Sequence, residues 1–125
     1  MPNDKRTYFK FERLEVWQHA RRFADSIYCL TGKFPKNELL GITNQLRRAA
    51  TSITLNIAEG SERQSDQDFK RFLKIALASV NEVVAALFIS YDQKFINGEG
   101  FEEVRRDAGH LAAQIKSFIK ALNKS

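Results

Sequence analysis

The chain has little of the three residue types that cross-link or interrupt a small domain. Its 125 residues include one cysteine, two prolines and six glycines. A single cysteine excludes an internal disulfide, and few prolines and glycines favour long helices. The length is typical of one domain whose core needs no cross-link. Because Cys29 lies within a helical pattern, we expect a buried thiol in a protein of a reducing compartment.

The chain also lacks the hydrophobic segments that predict secretion or membrane insertion. Residues 1–6 have no apolar stretch typical of a signal peptide. The most apolar run, residues 75–90, is shorter than a membrane span and contains Asn81 and Glu82. We therefore expect a cytoplasmic protein that does not contact a membrane.

Four segments carry apolar residues at steps of three and four, the spacing of amphipathic helices, and none alternates like a strand. We predict an all-α protein: an up-down-up-down four-helix bundle of left-handed twist over residues 12–123, preceded by an N-terminal tail over residues 1–11. The apolar stripes include Phe23, Ile27 and Tyr28 in the first segment, Leu39 and Ile53 in the second, Leu87 and Tyr91 in the third, and Ile115 in the fourth.

Glycine and capping residues indicate where the helices begin and end. Gly32 is expected to stop the first helix, and Asn37 to cap the second. Gly60 is expected to close the second helix in a left-handed conformation. Ser65 is expected to cap the third helix, and residues 97–100 to form a turn before the fourth.

The third segment has more apolar surface than one helix of a bundle needs. Between residues 75 and 90 its one charged residue is Glu82. A helix that is apolar nearly all round is expected to be buried nearly all round, which a four-helix bundle of this size cannot provide. We therefore expect a second subunit on this face, with Ala85 and Ile89 in the contact. In the alternative, N-terminal aromatic residues cover the face, namely Tyr8, Phe9 and Phe11.

A strip of polar residues beside the apolar stripe of the second helix supports a subunit contact. It consists of Gly41, Gln45, Arg48, Ser52, Asn56 and Glu59. Residues 49–58 carry no charge, whereas a helix face in water usually holds Lys and Glu. A subunit contact or a semi-buried hydrogen-bond network is expected, with a plainly solvated strip as the alternative. We expect Arg48 and Glu59 to pair across helices or subunits, with Glu82 as the candidate partner of Arg48.

No residue pattern predicts a catalytic, metal or cofactor site. Di-iron sites in helical bundles need a Glu from each of two helices and a Glu-x-x-His from each of the other two. Here Glu15 and His19 are four apart, Asp107 and His110 are three apart, and the inward glutamates are not evident. Phosphate loops and Cys-x-x-Cys pairs are missing from the sequence as well. We expect a protein that is not an enzyme and uses no cofactor.

Basic residues outnumber acidic ones by twenty to fifteen, so the formal net charge is +5. Four of them, Arg63, Lys70, Arg71 and Lys74, lie close to the start of the third helix. Lys70 and Lys74 are four apart, where like charges repel, which is compatible with a polyanion partner. The alternative is a solvent-exposed face whose positive charge is partly offset by nearby acidic residues. Sequence-specific recognition is not expected, since no helix-turn-helix or zinc-finger signature is present.

Several short strings follow one another in the order typical of a known family. They are Leu14-Glu15-Val16-Trp17, Phe34-Pro35, Gln45-Leu46-Arg47-Arg48-Ala49-Ala50, Ser52-Ile53, Asn56-Ile57-Ala58-Glu59-Gly60, Asp68-Phe69 and Phe72-Leu73-Lys74-Ile75-Ala76. Over residues 11–122 the chain resembles the four-helix bundle proteins encoded in intervening sequences of bacterial 23S ribosomal RNA genes. It departs from residues common in that family at Leu40, Thr54, Leu55 and Ala78.

The resemblance implies an up-down bundle assembled into a ring-like homopentamer. The chain is also similar to the accessory protein of diversity-generating retroelements, a basic pentameric barrel that binds nucleic acid and a reverse transcriptase. No established activity comes with the 23S family itself. We therefore predict a non-enzymatic homo-oligomer whose partners are its own copies, RNA or DNA, and by analogy a reverse transcriptase or another protein. The rival prediction is an adaptor that docks a different protein on its apolar face.

Overall fold

The computed structural model describes residues 6–124 as an all-α protein of four long helices. These are α1 (Glu15–Thr31), α2 (Ile42–Ser61), α3 (Asp66–Asp92) and α4 (Gly98–Leu122), with short 3-10 turns over Lys10–Arg13 and Lys36–Glu38. No strand occurs within residues 6–124, so the predicted all-α class is confirmed. Helix α1 packs on α2, α2 on α3, α3 on α4, and α4 on α1.

The core joins apolar side chains from all four helices. Phe23 and Ile27 of α1, Ile53 of α2, Leu87 of α3 and Ile115 of α4 are each fully buried. Burying a side chain of this size stabilises the folded state by about 1.5–3 kcal/mol. The three- and four-residue spacing of apolar residues predicted all of these positions.

Three side chains at the ends of the predicted stripes lie on the surface. Tyr28, Leu39 and Tyr91 are 47%, 54% and 43% exposed. The ring of Tyr28 lies beneath the Arg47 guanidinium, and Tyr91 stacks on Phe101. A tyrosine can pack one ring face and keep its hydroxyl in water. Leu39 precedes α2 and therefore does not share its helical register.

Two predicted helix ends are confirmed. Helix α1 ends at Thr31, directly before Gly32. Ser65 caps α3, because its Oγ accepts a hydrogen bond of 3.1 Å from the backbone amide of Asp68. Such a cap satisfies one of the free amides in the first turn of a helix.

The predicted turn over residues 97–100 is wrong. Asn97 instead caps α4, since its Oδ1 accepts a hydrogen bond of 2.7 Å from the backbone amide of Gly100. The turn lies a few residues earlier, where Lys94 adopts a left-handed φ of 67°. The helix-capping function of asparagine outweighs its turn preference here.

The prediction that Asn37 caps the second helix is also wrong. Asn37 lies within the 3-10 turn Lys36–Glu38, in which the amide of Glu38 donates to the carbonyl of Pro35 over 2.9 Å. Asn37 is therefore part of a separate turn, and α2 begins only at Ile42.

Gly60 is helical and does not close α2 in a left-handed conformation, contrary to prediction. Helix α2 continues to Ser61, and no glycine within residues 6–124 has a positive φ. A Cβ at Gly60 would lie 2.8 Å from both Phe69 Cδ1 and Phe72 Cβ. The glycine therefore allows the start of α3 to pack closely on the end of α2.

The expectation of a buried thiol is wrong, since Cys29 is exposed. Cys29 follows the fully buried Ile27 by two positions, which is about 200° around the helix. It therefore faces away from the core.

Helix α3 is long and apolar enough to cross a membrane, as judged by length and composition alone. The core helix of a soluble protein passes the same test, so one such helix is weak evidence. Only 39% of its most apolar window is buried within the chain. The other three helices therefore leave part of this apolar helix exposed.

Candidate oligomer interface and basic surfaces

The outward face of α3 presents a mostly apolar row in heptad spacing. Ile75, Ala78, Glu82, Ala85 and Ile89 follow one another at alternating steps of three and four, and all five are exposed. Ile75 and Ile89 keep 41% and 53% of their surface exposed. This is the spacing of the a and d positions by which one helix packs on another in a coiled coil. We call these five residues the α3 seam.

The N-terminal aromatic residues do not cover the α3 seam. The ring of Phe11 lies 4.6 Å from that of Trp17 on α1, and Phe9 stacks on Phe11. The 3-10 turn that contains Phe11 contacts α1 and α2. Tyr8 and Phe9 stay 71% and 59% exposed. The alternative in which these residues cover the third helix is therefore wrong.

Arg48 and Glu82 line one cleft of about 630 Å³ between α2 and α3. Gln45 and Ser52 line the same cleft. Within residues 6–124 neither charged side chain has an ion-pair partner. The structure thus brings the predicted pair to one cleft without joining the two charges, and both can still pair with another molecule.

Two further residues of the polar strip are held by the bundle itself. Asn56 Nδ2 donates to the carbonyl and the Oγ of Ser52, over 2.9 and 3.0 Å. The Oγ of Ser79 on α3 donates to Ser52 Oγ over 3.0 Å. Ser52 and Asn56 thus belong to a semi-buried network that links α2 to α3.

Within the single chain Glu59 pairs with a residue four positions later and not across helices, while a pairing across subunits stays a prediction. Glu59 Oε2 accepts a hydrogen bond of 2.6 Å from Arg63 Nη2. Both side chains are more than a third exposed. An exposed pair of this kind stabilises the fold by about 0–1 kcal/mol. The pair also balances one charge of the predicted basic cluster.

The two arginines of the predicted basic cluster meet at one aromatic ring. The guanidinium carbons of Arg63 and Arg71 lie 4.6 and 4.7 Å from the centroid of the Phe72 ring. Arg71 also pairs with Asp68 over 3.3 Å. The ring holds both guanidinium groups at the α2–α3 junction.

The two lysines of the same cluster lie towards α4. Lys70 Nζ donates to Asn123 Oδ1 over 2.6 Å, while Lys74 is exposed. The structure therefore divides the cluster into an arginine pair at the α2–α3 junction and a lysine pair on the α4 side.

A second basic surface, which the sequence patterns did not predict, lies between α3 and α4. Lys74, Arg105 and Lys116 line a groove there of about 630 Å³, which we call the α3–α4 groove. Arg105 donates two hydrogen bonds of 3.1 and 3.0 Å to Glu102. This hydrogen bonding holds the pKa of the Glu102 carboxyl below its usual value and raises the pKa of Arg105. Lys74 and Lys116 are far apart in the sequence, so only the packing of the helices reveals the groove.

His19, weighed above as a metal ligand, ties α1 to α4. Its Nδ1 lies 2.8 Å from Gln114 Oε1, and its Nε2 lies 2.8 Å from Asp107 Oδ1. In the described part of the chain, residues 6–124, no three His, Cys, Asp or Glu side chains are grouped so as to hold a metal ion.

The helices and their exposed faces place the chain among the four-helix proteins. The family model of the 23S rRNA-intervening sequence protein matches residues 12–117, and the chain belongs to this family. A crystal structure of a protein of unknown function from the S23 ribosomal protein family of Bacteroides thetaiotaomicron is 33% identical. The match covers 84% of this chain and 98% of that one, with a TM-score of 0.76. No curated protein matches the chain. The resemblance stated from the sequence is thereby confirmed.

Proposed function

We propose that this chain is a non-enzymatic, homo-oligomeric bundle protein of the cytoplasm that binds nucleic acid without sequence preference. Its copies assemble into a ring, and the subunit number of five follows from the family resemblance. The single observation that carries the proposal is the α3 seam, because it leaves apolar side chains exposed along the middle of a helix. Large exposed apolar faces are typical of interaction sites.

The proposed subunit is an up-down-up-down, left-handed bundle. Two aromatic pairs between α3 and α4 support antiparallel neighbours: Phe69 lies 5.2 Å from Phe118, and Phe88 lies 4.9 Å from Phe101. An early residue of α3 thus contacts a late residue of α4, and the reverse holds at the other end. Short connections between helices favour the same arrangement.

The proposed subunit contact uses the α3 seam and the neighbouring cleft. Ile75 and Ile89 supply apolar area, and Ala78 and Ala85 allow the backbone of a second helix to come close. Glu82 lies at the centre of the seam, where a single polar residue typically specifies the register and the number of helices. An Arg48 from the neighbouring copy is the proposed partner of Glu82, since Arg48 has no ion-pair partner of its own within residues 6–124.

The nucleic-acid proposal rests on the basic cluster of Arg63, Lys70, Arg71 and Lys74. Carboxylates balance the two arginines in part, so one subunit alone offers a weak site. A ring repeats the cluster around one axis, and repeated weak sites on one strand raise the overall affinity. Phosphate contacts carry no sequence information, which fits the lack of a base-reading motif.

An adaptor that docks a different protein is the second candidate function. The exposed α3 seam supports it as well, because a foreign helix can cover the same residues as a second copy. In this case the seam stays uncovered until the partner binds, and the chain alone is monomeric.

Light scattering of the purified protein at micromolar concentration, followed by fluorescence anisotropy with labelled RNA and DNA, tests the proposal. We expect a mass that is a multiple of the 14.4 kDa chain, and binding that weakens as salt rises. A monomeric mass contradicts the assembly proposal and favours the adaptor. An intact oligomer that binds no nucleic acid even at low salt contradicts the binding proposal alone.

A further inference from the structure

The α3–α4 groove has an apolar floor of mostly small residues. Leu77 and Val84 of α3 and Ala108 and Ala112 of α4 line it, together with Ala78, which the groove shares with the α3 seam. Small side chains let another helix approach closely, to an interaxial distance of about 8–10 Å. The floor of the groove is therefore suited to packing against another helix.

Three cations surround this floor, and in the described part of the chain two of them have no matching anion, since only Arg105 is paired, with Glu102. Lys74, Arg105 and Lys116 line the groove, and no carboxylate is among its lining residues. Lys74 and Lys116 are exposed and have no ion-pair partner within residues 6–124. An occupant with carboxylates at its edges is attracted by these charges, and an occupant with cations is repelled.

Gly109 opens the groove halfway along α4. A Cβ added at this position meets no other atom within 4 Å, so packing within the chain does not require a glycine. Glycine in the interior of a helix lowers its stability relative to alanine. The missing side chain leaves the backbone of α4 open to close approach from outside.

We propose that the α3–α4 groove binds an acidic amphipathic helix from a partner protein. Its apolar face lies on the floor, and its carboxylates face Lys74, Arg105 and Lys116. Arg105 and Lys116 are eleven positions apart, about 16 Å along α4. Carboxylates three helical turns apart on the partner therefore reach both ends of the groove.

Other occupants fit the groove less well. A nucleic-acid strand matches the cations, but the groove lining offers no aromatic ring on which bases can stack. A second copy of this chain presents the α3 seam, which has a single carboxylate, Glu82, at its centre. The partner helix of the proposal instead needs an apolar face with acids along its edges. This proposal does not depend on nucleic-acid binding.

The test uses the full chain and two labelled, hydrocarbon-stapled helical peptides of about five turns. One peptide carries leucine and alanine on one face and glutamate along both edges of that face. The other has lysine in place of every glutamate. We expect anisotropy to show binding of the acidic peptide and at least about tenfold weaker binding of the basic one.

Two groove variants and one control locate the site. Gly109→Leu places an apolar side chain in the groove, and its Cβ meets no atom within 4 Å, so circular dichroism should show an intact fold while peptide binding weakens at least about tenfold. Ala113→Leu adds the same side chain on an exposed part of α4 outside the groove lining, and should leave binding unchanged. Lys116→Glu should weaken binding of the acidic peptide and strengthen binding of the basic one.

Several results would overturn the proposal. One is the absence of acidic-peptide binding to the unmodified protein, and another is equal binding to Gly109→Leu and Ala113→Leu. A lower oligomer mass for Gly109→Leu alone would assign the groove to a second copy of the chain. Loss of nucleic-acid binding in Gly109→Leu, with peptide binding intact, would assign it to nucleic acid. Failure of nucleic-acid binding in the unmodified protein leaves the peptide result unaffected, so the two proposals fail separately.

Discussion

His19 Nε2 on α1 lies 2.8 Å from Asp107 Oδ1 on α4. The opposite ring nitrogen lies 2.8 Å from the side-chain amide of Gln114. The His19 side chain is 17% exposed, whereas that of Asp107 is 41% exposed. One imidazole therefore uses both nitrogens to join the first and last helices of the bundle. His19 thus has a structural role, whereas the sequence had suggested for it only the role of a metal ligand, which was not favoured.

We predict that His19→Ala lowers the free energy of unfolding by about 0.5–1.5 kcal/mol, because it removes the side-chain contacts that join α1 to α4. Urea unfolding followed by circular dichroism measures the change. His110→Ala on the exposed side of α4 is the control and should be neutral. Equal effects of the two substitutions would show that the His19 contact between α1 and α4 does not contribute to the free energy of unfolding.

Two glycines in helix interiors should respond oppositely to alanine. Gly60→Ala places a Cβ 2.8 Å from Phe69 Cδ1 and Phe72 Cβ, so we expect a loss of about 1–3 kcal/mol from overpacking. Gly109→Ala meets no atom within 4 Å and should gain up to about 1 kcal/mol of helix stability. Thermal melting of both variants checks the signs. A stabilising Gly60→Ala would contradict close packing of α3 on α2.

These two glycines also show what the sequence could and could not predict. Apolar spacing predicted the helices and buried positions such as Ile27, because a single helix determines which residues share a face. The packing of Gly60 depends on two phenylalanines of the following helix, and local preferences pointed instead to a left-handed helix end. Lys74 and Lys116 likewise meet at one groove only through the packing of α3 on α4.

The exposed apolar face of α3, on which the proposed subunit contact rests, was predicted in part. An excess of apolar residues pointed to the outward face of α3, including Ala85 and Ile89. The sequence did not show that the outward residues form a heptad seam centred on Glu82, because this depends on which residues of α3 the bundle buries. Within the chain Glu59 pairs with Arg63, which the segment beyond α2 brings within hydrogen-bond distance, and a pairing of Glu59 across subunits stays a prediction.

Charges introduced into the α3 seam should break the proposed oligomer. We predict that Ala85→Arg and Ile89→Arg each give monomers or aggregates, since a charge buried without a partner is costly. Both positions are exposed in the single chain, so its fold should be retained. Light scattering measures the mass, and circular dichroism checks the helices. Ala113→Arg, exposed on α4, is the control, and unchanged mass in all three variants would contradict a contact at the seam.

Arg48 and Glu82 should behave as a pair across the proposed subunit contact. We predict that Arg48→Glu and Glu82→Arg each weaken assembly and that the double variant restores it, because the two charges are exchanged. Loss of one member of a buried pair typically costs about 3–5 kcal/mol. Dilution of the oligomer followed by mass measurement gives the coupling. If Arg48→Ala and Glu82→Ala leave melting temperature and mass unchanged, the polar strip of α2 faces solvent and forms no subunit contact.

Nucleic-acid binding should depend on the cluster at the start of α3. We predict that the triple substitution of Lys70, Arg71 and Lys74 by Glu abolishes binding of labelled RNA and DNA. The logarithm of affinity should fall linearly with the logarithm of salt, with a slope of about −0.9 per duplex phosphate neutralised, and partial variants should flatten it. Arg71 and Lys74 are exposed, so circular dichroism should show an intact fold.

A matched triple variant separates the cluster from the net charge of +5. Arg22, Lys33 and Arg106 are exposed elsewhere on the chain, and their replacement by Glu changes the net charge by the same amount. If nucleic-acid binding depends only on total charge, both triple variants lose binding equally, and the cluster has no specific role. If the cluster positions phosphates, only the variant of α3 loses binding. Competing duplexes of different sequence should displace the probe alike, because phosphate contacts read no bases.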